Sequence, residues 1–176
     1  QELVAGLPSG VIELEQDEQR LKVNTDQYKS VINGVSAEEF PIMPAIEDGK
    51  TLTISAPILK SGLQQVLLAA SNDESRPVLT GVMFLSVDGS LYIASTDSYR
   101  LAEKQLTEVK EEVSLLIPAT ALHDVMRIIS DFSGDVEIVY DEQQVQFKAA
   151  DVELVARLID GKYPDYRKLI PATFMT

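Results

Sequence analysis

The 176-residue chain is acidic and has an otherwise ordinary globular composition, with 45% hydrophobic and 24% charged residues. That length suits one domain, or one domain with pieces of its neighbours. Fifteen basic and 28 acidic residues give a net charge of −13, which argues against a protein that binds nucleic acid through its overall charge. A small basic face on one side of the protein is still compatible with this charge. The absence of cysteine excludes disulfides and thiolate metal sites, and it favours a reducing compartment.

The opening segment, QELVAGLPSG, has neither a basic region nor an apolar signal-peptide core. Apolar Leu3, Val4 and Leu7 followed by Pro8 predict the end of a helix, so we expect a fragment that starts within a helix. No apolar run approaches the roughly 20 residues that a membrane span needs.

An internal repeat is the most informative feature of the sequence. VIELEQDEQRLKV (11–23) resembles DVEIVYDEQQVQF (135–147), and each copy follows a Ser-Gly pair. Each copy predicts two alternating strands joined by a tight Asp-Glu-Gln turn. Each then runs through a third apolar segment to an aromatic-proline pair, Phe40-Pro41 or Tyr163-Pro164. Chance similarity between hairpins is the alternative, and the matched flanking pairs argue against it.

A shorter repeat lies between these copies. Residues 51–71 and 113–130 each predict a strand and then an amphipathic helix, with Pro57 or Pro118 in its first turn. Three strand candidates follow each helix. They are 79–87, 90–96 and 99–106 after the first, with an Asp88-Gly89 hairpin turn, and 135–140, 144–149 and 152–159 after the second.

The repeating unit is therefore a strand, a helix and three strands, found twice in 51–160, with the last part of a third copy in 1–44. Because each helix and each strand has one apolar face, these faces must be buried against one another. The fold class predicted is α+β, with two antiparallel sheets outside and two helices packed inside.

Three stretches carry a resemblance to a known family: RPVLTGVMF (76–84), ASTDSYRLA (94–102) and LIDGKYPDYRKLIP (158–171). In that order and spacing they closely resemble the beta subunit of bacterial DNA polymerase III, the sliding-clamp family. The resemblance covers essentially the whole chain. It implies the DNA-clamp fold, in which every domain contains two strand–helix–three-strand repeats.

The resemblance also implies how the chain divides. Residues 1–48 would be the C-terminal part of the first clamp domain, with its last three strands. Residues 49–160 would be the complete second domain, and 161–176 the linker and the start of the third domain.

The function implied is that of a non-catalytic processivity factor in the bacterial cytoplasm. Two subunits would close head to tail around duplex DNA and tether the polymerase, the clamp loader and repair proteins. Contact with phosphates would be weak and non-specific, because strong contact would stop the ring from sliding. No cofactor and no metal are implied.

Few basic residues are available to face DNA. The resemblance points to Arg76, and the predicted helices add Lys60 and Arg127. Ordinary solvated helix surface is the alternative for Lys60 and Arg127. His123, the one histidine, has no metal or catalytic context and is expected on a helix surface.

The resemblance further implies a hydrophobic pocket between the second and third domains that receives short linear peptides. Leucine side chains would form its apolar walls and Arg100 would supply a donor. Ser98 and Tyr99 depart from the family's glycine and frequent histidine, so Tyr99 would narrow the entrance or add a stacking surface. Simple strand packing is the alternative for Thr96 and Leu101. The residues implied are Leu79, Thr96, Ser98, Tyr99, Arg100, Leu101, Pro164, Lys168 and Leu169.

Two other functions are alternatives to this one. Asp97 beside Tyr99 and Arg100 could form a catalytic cluster, and Asp17-Glu18 or Asp141-Glu142 could bind a metal. Carboxylates in hairpin turns are usually turn formers, and no third ligand completes either pair. The second alternative is a β-rich protein-interaction module that does not encircle DNA, and the length of the match at 158–171 argues against it.

Overall fold

The computed structural model describes residues 6–7, 9–40 and 45–170, with the Leu169 side chain outside the description. The chain divides into two compact units, Gln1–Met43 and Pro44–Thr176. Several predicted features lie outside the described residues, namely Leu3, Val4 and Pro8 of the expected helix end, Pro41 and Pro171.

The first unit contains a three-stranded antiparallel sheet in the order β1-β2-β3. Its strands are β1 (Glu13–Asp17), β2 (Arg20–Asn24) and β3 (Lys29–Asn33). Leu14 pairs with Val23 and Leu21 pairs with Ile32, so these four apolar side chains share one face. The predicted strands on either side of the tight turn are thus confirmed.

The second unit contains the strand–helix–three-strand element order twice, as the sequence predicted. Its described elements are β4 (Lys50–Ser55), α1 (Ala56–Val66), β5 (Gly81–Val87), β6 (Ser90–Thr96), β7 (Leu101–Glu108), β8 (Ser114–Pro118), α2 (Ala119–Ile128), β9 (Asp135–Tyr140), β10 (Gln144–Ala149) and β11 (Val152–Arg157). Short 3-10 helices occupy Leu67–Ala69, Pro77–Thr80 and Tyr166–Leu169.

The two repeats exchange their first strands. One sheet has the order β7-β6-β5-β8 and the other β11-β10-β9-β4. The leading strand β4 therefore pairs with β9 of the second repeat, with Ile54 opposite Val136, and β8 pairs with β5 of the first repeat, with Leu115 opposite Phe84. Because each sheet draws strands from both repeats, neither repeat can complete its sheet alone.

The core lies between these two antiparallel sheets and the two helices. Leu59 and Leu63 of α1 and Leu122 of α2 are fully buried in the same cluster as Phe84 and Ile138 of the sheets. Burying a side chain of this size contributes about 1.5–3 kcal/mol. The predicted α+β architecture is confirmed.

Some element ends differ from the sequence prediction. The prediction that Pro118 lies in the first turn of its helix is wrong, because Pro118 has extended backbone (φ −54°, ψ 131°) and pairs with Gly81 as the last residue of β8. Pro57 does lie in the first turn of α1, as expected.

Strand ends shift by two residues at four places, one of them the end of β7 at Glu108 where 106 was predicted. β5 begins at Gly81 because residues 77–80 form a 3-10 helix that Pro77 starts. β7 begins at Leu101 because the preceding residues form a closed loop, and β11 ends at Arg157. The Asp88-Gly89 turn is confirmed, with φ of 49° and 78° as a two-residue hairpin of this kind requires.

Neither α-helix of the described residues has the length and apolarity of a membrane span.

Candidate functional site

The loop between β6 and β7 is closed by its own side chains. Asp97 Oδ1 accepts hydrogen bonds from the backbone amides of Tyr99 and Arg100 at 2.9 and 3.0 Å. Thr96 Oγ1 accepts from the Ser98 amide at 3.1 Å and donates to the Arg100 carbonyl at 2.7 Å. The hydrogen bonds donated by the Tyr99 and Arg100 backbone amides hold the pKa of the Asp97 carboxyl below its ordinary value. The backbone amides of Ser98, Tyr99 and Arg100 therefore already donate hydrogen bonds to side chains of the same loop.

This loop presents its side chains unequally to solvent. Tyr99 is 95% exposed at the tip and Leu101 is 37% exposed, whereas Leu79 and Thr96 are buried. Arg100 Nε donates to Asp97 Oδ2 at 3.0 Å, which fixes the guanidinium against the loop. The apolar surface offered here consists of Tyr99 and Leu101, with Leu79 and Thr96 beneath as supporting residues.

A second loop, between α1 and β5, is tied to the first by Arg76. Asp73 accepts from the Ser75 hydroxyl at 2.6 Å and from Arg76 Nε at 3.1 Å, and the Ser75 hydroxyl is the main cause of the lowered pKa of Asp73. Arg76 Nη1 donates to Ser98 Oγ at 3.0 Å. The Arg76 carbonyl accepts from the Leu79 amide at 2.9 Å. Arg76 thus connects both loops that flank Leu79.

The segment after β11 lies across the face of the β7-β6-β5-β8 sheet that is opposite the core. The Ile159 amide donates to the Leu116 carbonyl of β8 at 2.8 Å. Arg167 Nη2 contacts Glu103 Oε2 of β7 at 3.0 Å, and its guanidinium carbon lies 4.2 Å from the ring centroid of Tyr92 on β6. The segment after β11, which includes the linker, is therefore attached to three strands of its own unit.

Two linker tyrosines are packed edge to face, with ring centroids 6.3 Å apart. The Tyr166 hydroxyl donates to Glu103, but the Tyr163 hydroxyl is buried and has no hydrogen-bond partner among the described residues. Burial raises the pKa of Tyr163 to about 12, and the nearby Thr96 backbone opposes part of that rise. Burial, reinforced by Glu103, likewise raises the pKa of Tyr166 to about 12.

The predicted linker residues of the peptide site are exposed where they are described. Pro164 is exposed, and the Lys168 side chain is 83% exposed with its Nζ 2.6 Å from Asp165 Oδ2. That ion pair raises the pKa of Lys168. The Leu169 side chain lies outside the described structure. The side chains of eight of the nine residues expected at the site are therefore described. The linker that carries Pro164 and Lys168 is held on the same unit as the other six.

Sequence reasoning missed the residues that hold the linker, namely Glu103, Tyr166 and Arg167. The tyrosines and arginine of KYPDYR were visible signals of an aromatic anchor. Nothing in the sequence around Glu103 predicted that it contacts the linker, because that contact depends on which strand the linker crosses.

A cleft of about 850 Å³ opens beside the linker and was also not predicted. Its lining combines residues of β5 and β8 with residues of the segment after β11. Its lining includes Met83, Leu116, Glu142, Arg157, Asp160 and Tyr163.

The predicted DNA-facing residues separate into two places. Lys60 and Arg127 line one cleft of about 480 Å³ between α1 and α2, together with His123. Lys60 Nζ donates to the Ser130 carbonyl, and Arg127 Nη2 lies 3.4 Å from Asp124 Oδ1. Arg76 is not among the residues that line this cleft.

The carboxylates considered as metal ligands serve other purposes where the structure shows their contacts. Asp141 Oδ1 accepts from the Gln143 and Gln144 amides at 2.7 and 2.8 Å, which closes the hairpin turn. Within the described ranges, no three His, Asp or Glu side chains converge on a possible metal position.

Comparison with known families identifies the chain's relatives. The family described as "DNA polymerase III beta subunit, central domain" matches residues 53–165. The chain belongs to the DNA polymerase III beta subunit family. This family is the non-catalytic sliding clamp of the polymerase, so the resemblance seen in the three sequence motifs is confirmed.

Individual clamps match nearly the whole chain. The beta sliding clamp of Staphylococcus aureus is 32% identical over 176 residues, which is 98% of this chain and 47% of the clamp. The crystal structure of the Bacillus subtilis clamp superimposes with a TM-score of 0.80 at 34% identity, covering 98% of this chain and 46% of the clamp chain. The Bartonella birtlesii clamp bound to griselimycin gives a TM-score of 0.82 at 28% identity, covering 97% and 48%. The chain thus spans about half the length of the clamps it matches.

Proposed function

We propose that this chain is the central part of a sliding clamp, a ring-forming processivity factor that encircles duplex DNA in the bacterial cytoplasm. The clamp would tether the polymerase, the clamp loader and repair proteins without catalysing a reaction itself. The observation that carries this proposal is the family match over residues 53–165, supported by TM-scores near 0.8 to clamp structures at 28–34% identity.

Within that clamp, residues 1–48 would end the first domain, 49–160 would form the second, and 161–176 would lead into the third. The first unit supports this division. Leu14 and Ile32 share one face of its sheet and are 65% and 42% exposed. An apolar face of this kind needs a covering layer. The helices and strands of the rest of the first domain would supply it.

DNA would pass along the two helices of the second unit. Lys60 and Arg127 lie in one cleft there, and the other residues that line it are Gln64, His123, Met126 and Ser130. Arg127 is partly neutralised by Asp124, and the whole chain is acidic. Weak attraction of this kind allows sliding, because counterion release from a few phosphates gives only modest, salt-sensitive affinity.

Partner proteins would bind on the opposite, sheet side of the unit. The proposed peptide site comprises Leu79, Thr96, Ser98, Tyr99, Arg100, Leu101, Pro164, Lys168 and Leu169. The exposed Tyr99 and Leu101 provide an apolar contact surface and Lys168 a charged rim. The Bartonella birtlesii structure shows that a related clamp binds griselimycin, which makes griselimycin a useful probe of the site.

Encirclement of DNA is tested by comparing retention on circular and on linear duplex DNA. The subunit that contains this chain, assembled on circular duplex DNA by a clamp loader, should remain bound through gel filtration and should leave after the DNA is cut once. Retention on linear DNA would contradict encirclement. If the subunit binds partner peptides but never remains on circular DNA, the alternative of a protein-interaction module without encirclement is correct.

The peptide site is tested on the chain itself. Griselimycin added to the isotope-labelled chain should shift the NMR signals of Tyr99, Leu101 and Lys168. Leu101→Asp should remove those shifts, whereas Leu68→Asp, at another exposed leucine, should leave them unchanged. Shifts confined to the cleft between α1 and α2 would place the site elsewhere.

A further inference from the structure

The cleft between α1 and α2 contains the one histidine of the chain. His123 is exposed on α2, and Arg127 lies about one helical turn further along the same face. Lys60 lines the cleft from α1, and its Nζ donates to a backbone carbonyl just beyond α2. The rest of the lining is uncharged and consists of Gln64, Met126 and Ser130. The side chains that are or can become cationic on the two helices therefore meet in one cavity of about 480 Å³.

The permanent charges around His123 cancel one another. α1 contributes Lys60, and α2 contributes Asp124 and Arg127, whose Oδ1 and Nη2 atoms lie 3.4 Å apart. Asp131 follows α2 and accepts a hydrogen bond from the hydroxyl of the preceding residue at 3.3 Å. The two positive charges, of Lys60 and Arg127, are thus balanced by the two negative charges of Asp124 and Asp131. Protonation of His123 gives this surface a net positive charge, so one side chain decides its sign.

The strands that pack against α2 do not alter this balance. β8 has no charged residue, and β11 carries Glu153 and Arg157. These two alternate with Leu154 and Ala156, which pack against the core, so their side chains point away from α2. His123 is therefore the one side chain of the cleft whose charge can change near neutral pH.

We propose that His123 is a pH-dependent contact with the phosphates of duplex DNA, which strengthens DNA binding by this cleft as the pH falls from 8 to 6. This inference rests on the proposed function, in which DNA passes along the two helices. A protonated imidazole donates hydrogen bonds from both ring nitrogens, whereas a neutral one donates from one only. An exposed ion pair gained in this way should change affinity by about two- to fivefold. A contact this weak is compatible with sliding.

The test measures duplex affinity at two pH values. Titration of the isotope-labelled 176-residue chain with a short DNA duplex, followed by NMR at low salt, gives the dissociation constant at pH 6 and at pH 8. The wild-type chain should bind about two- to fivefold more tightly at pH 6. Repeating both titrations at a second salt concentration counts the phosphates that are contacted. The slope of log affinity against log salt should be steeper at pH 6, by up to about 0.9.

Two substitutions at the histidine separate charge from folding, because the side chain is exposed. His123→Gln is neutral at both pH values, so its affinity should stay at the level of the wild type at pH 8. His123→Lys is positive at both and should bind at pH 8 as tightly as the wild type does at pH 6. Lys148→Gln removes a cation from β10, outside the cleft, and should keep the wild-type ratio of affinities. Thermal unfolding at both pH values checks that all four proteins are equally folded.

The outcomes distinguish this inference from the proposed function. The inference is overturned if the wild type binds equally at the two pH values, or if His123→Gln keeps the wild-type ratio. It is also overturned if His123→Lys binds no more tightly than His123→Gln at pH 8. In each of these cases the duplex still binds, and the proposed function stands. If the duplex shifts no signal of Lys60 or Arg127 at either pH, the helices do not face DNA, and the inference falls with that part of the proposed function.

Discussion

The Tyr166 hydroxyl donates a hydrogen bond to Oε2 of Glu103 at 2.7 Å, and the same oxygen receives Arg167 Nε at 3.1 Å. One carboxylate on β7 therefore holds two consecutive linker residues. A hydrogen bond to a charged group is stronger than one between neutral groups, so this point should dominate the attachment of the linker to the sheet.

Replacing Glu103 should weaken that attachment. Glu103→Gln keeps an oxygen for Tyr166 but removes the charge opposite Arg167, and we expect the free energy of unfolding to fall by about 1–2 kcal/mol. Urea denaturation at pH 7 measures the change. Glu74→Gln, in an exposed loop, is the matched control and should alter stability by less than about 0.5 kcal/mol. Equal effects of the two variants would show that Glu103 does not hold the linker.

Removing the hydroxyl should affect the stability of the protein differently at the two linker tyrosines. Tyr163→Phe removes a buried hydroxyl that has no partner among the described residues, so stability should stay the same or rise. Tyr166→Phe leaves part of the Glu103 carboxylate unsatisfied and should cost about 1–2 kcal/mol. Thermal unfolding of both variants provides the comparison. A clear loss of stability in Tyr163→Phe would mean that its hydroxyl is bonded in solution.

Stability should decline at high pH because of these same tyrosines. Both have a folded pKa of about 12, above the ordinary value of 10.0 for tyrosine. Below pH 10 both are neutral in the folded and unfolded states, so their stabilising effect is fully present. Between pH 10 and 12 the unfolded chain loses protons that the folded chain keeps, and stability falls as pH rises. Tyr163→Phe should make the fall in unfolding free energy shallower, and an unchanged slope would contradict the assignment.

The linker also depends on one glycine. Gly161 has a φ of 136°, and a Cβ there would lie 2.6 Å from Val78 Cγ1. Gly161→Ala combines backbone strain with a steric clash, so the unfolding free energy should fall by about 1–3 kcal/mol. Gly10→Ala is the matched control, since no atom lies within 4 Å of a Cβ built there. Calorimetry on both variants checks the difference, and an equally small effect at Gly161 would mean that the linker is not held at this position.

Much of the fold could be predicted from local patterns. The Asp88-Gly89 turn, the helix that starts near Pro57 and the alternating strands each depend on residues close together in sequence. The predicted element boundaries are wrong where a local sequence signal competes with a contact between distant strands. Pro118 can start a helix, but its extended backbone also completes the pairing of β8 with Gly81, and the strand contact prevails.

The candidate site was predictable only in part. Tyr99 and Leu101 followed from the resemblance, and their exposure is consistent with a binding surface. The contact of Arg76 with Ser98 could not be foreseen, because the two residues are 22 positions apart and belong to different loops. The role of Glu103 was hidden for the same reason, since it depends on the path of a linker 63 residues later.

By itself, the sequence determined the repeating order of strand, helix and three strands, because hydrophobic periodicity and turn residues act over a few positions. The tertiary structure alone decided that β4 joins β9 and that β8 joins β5. Periodicity specifies which face of a strand is apolar and carries no information about which neighbour completes its hydrogen bonds. That choice is made by the shared core, where both helices must be covered at once.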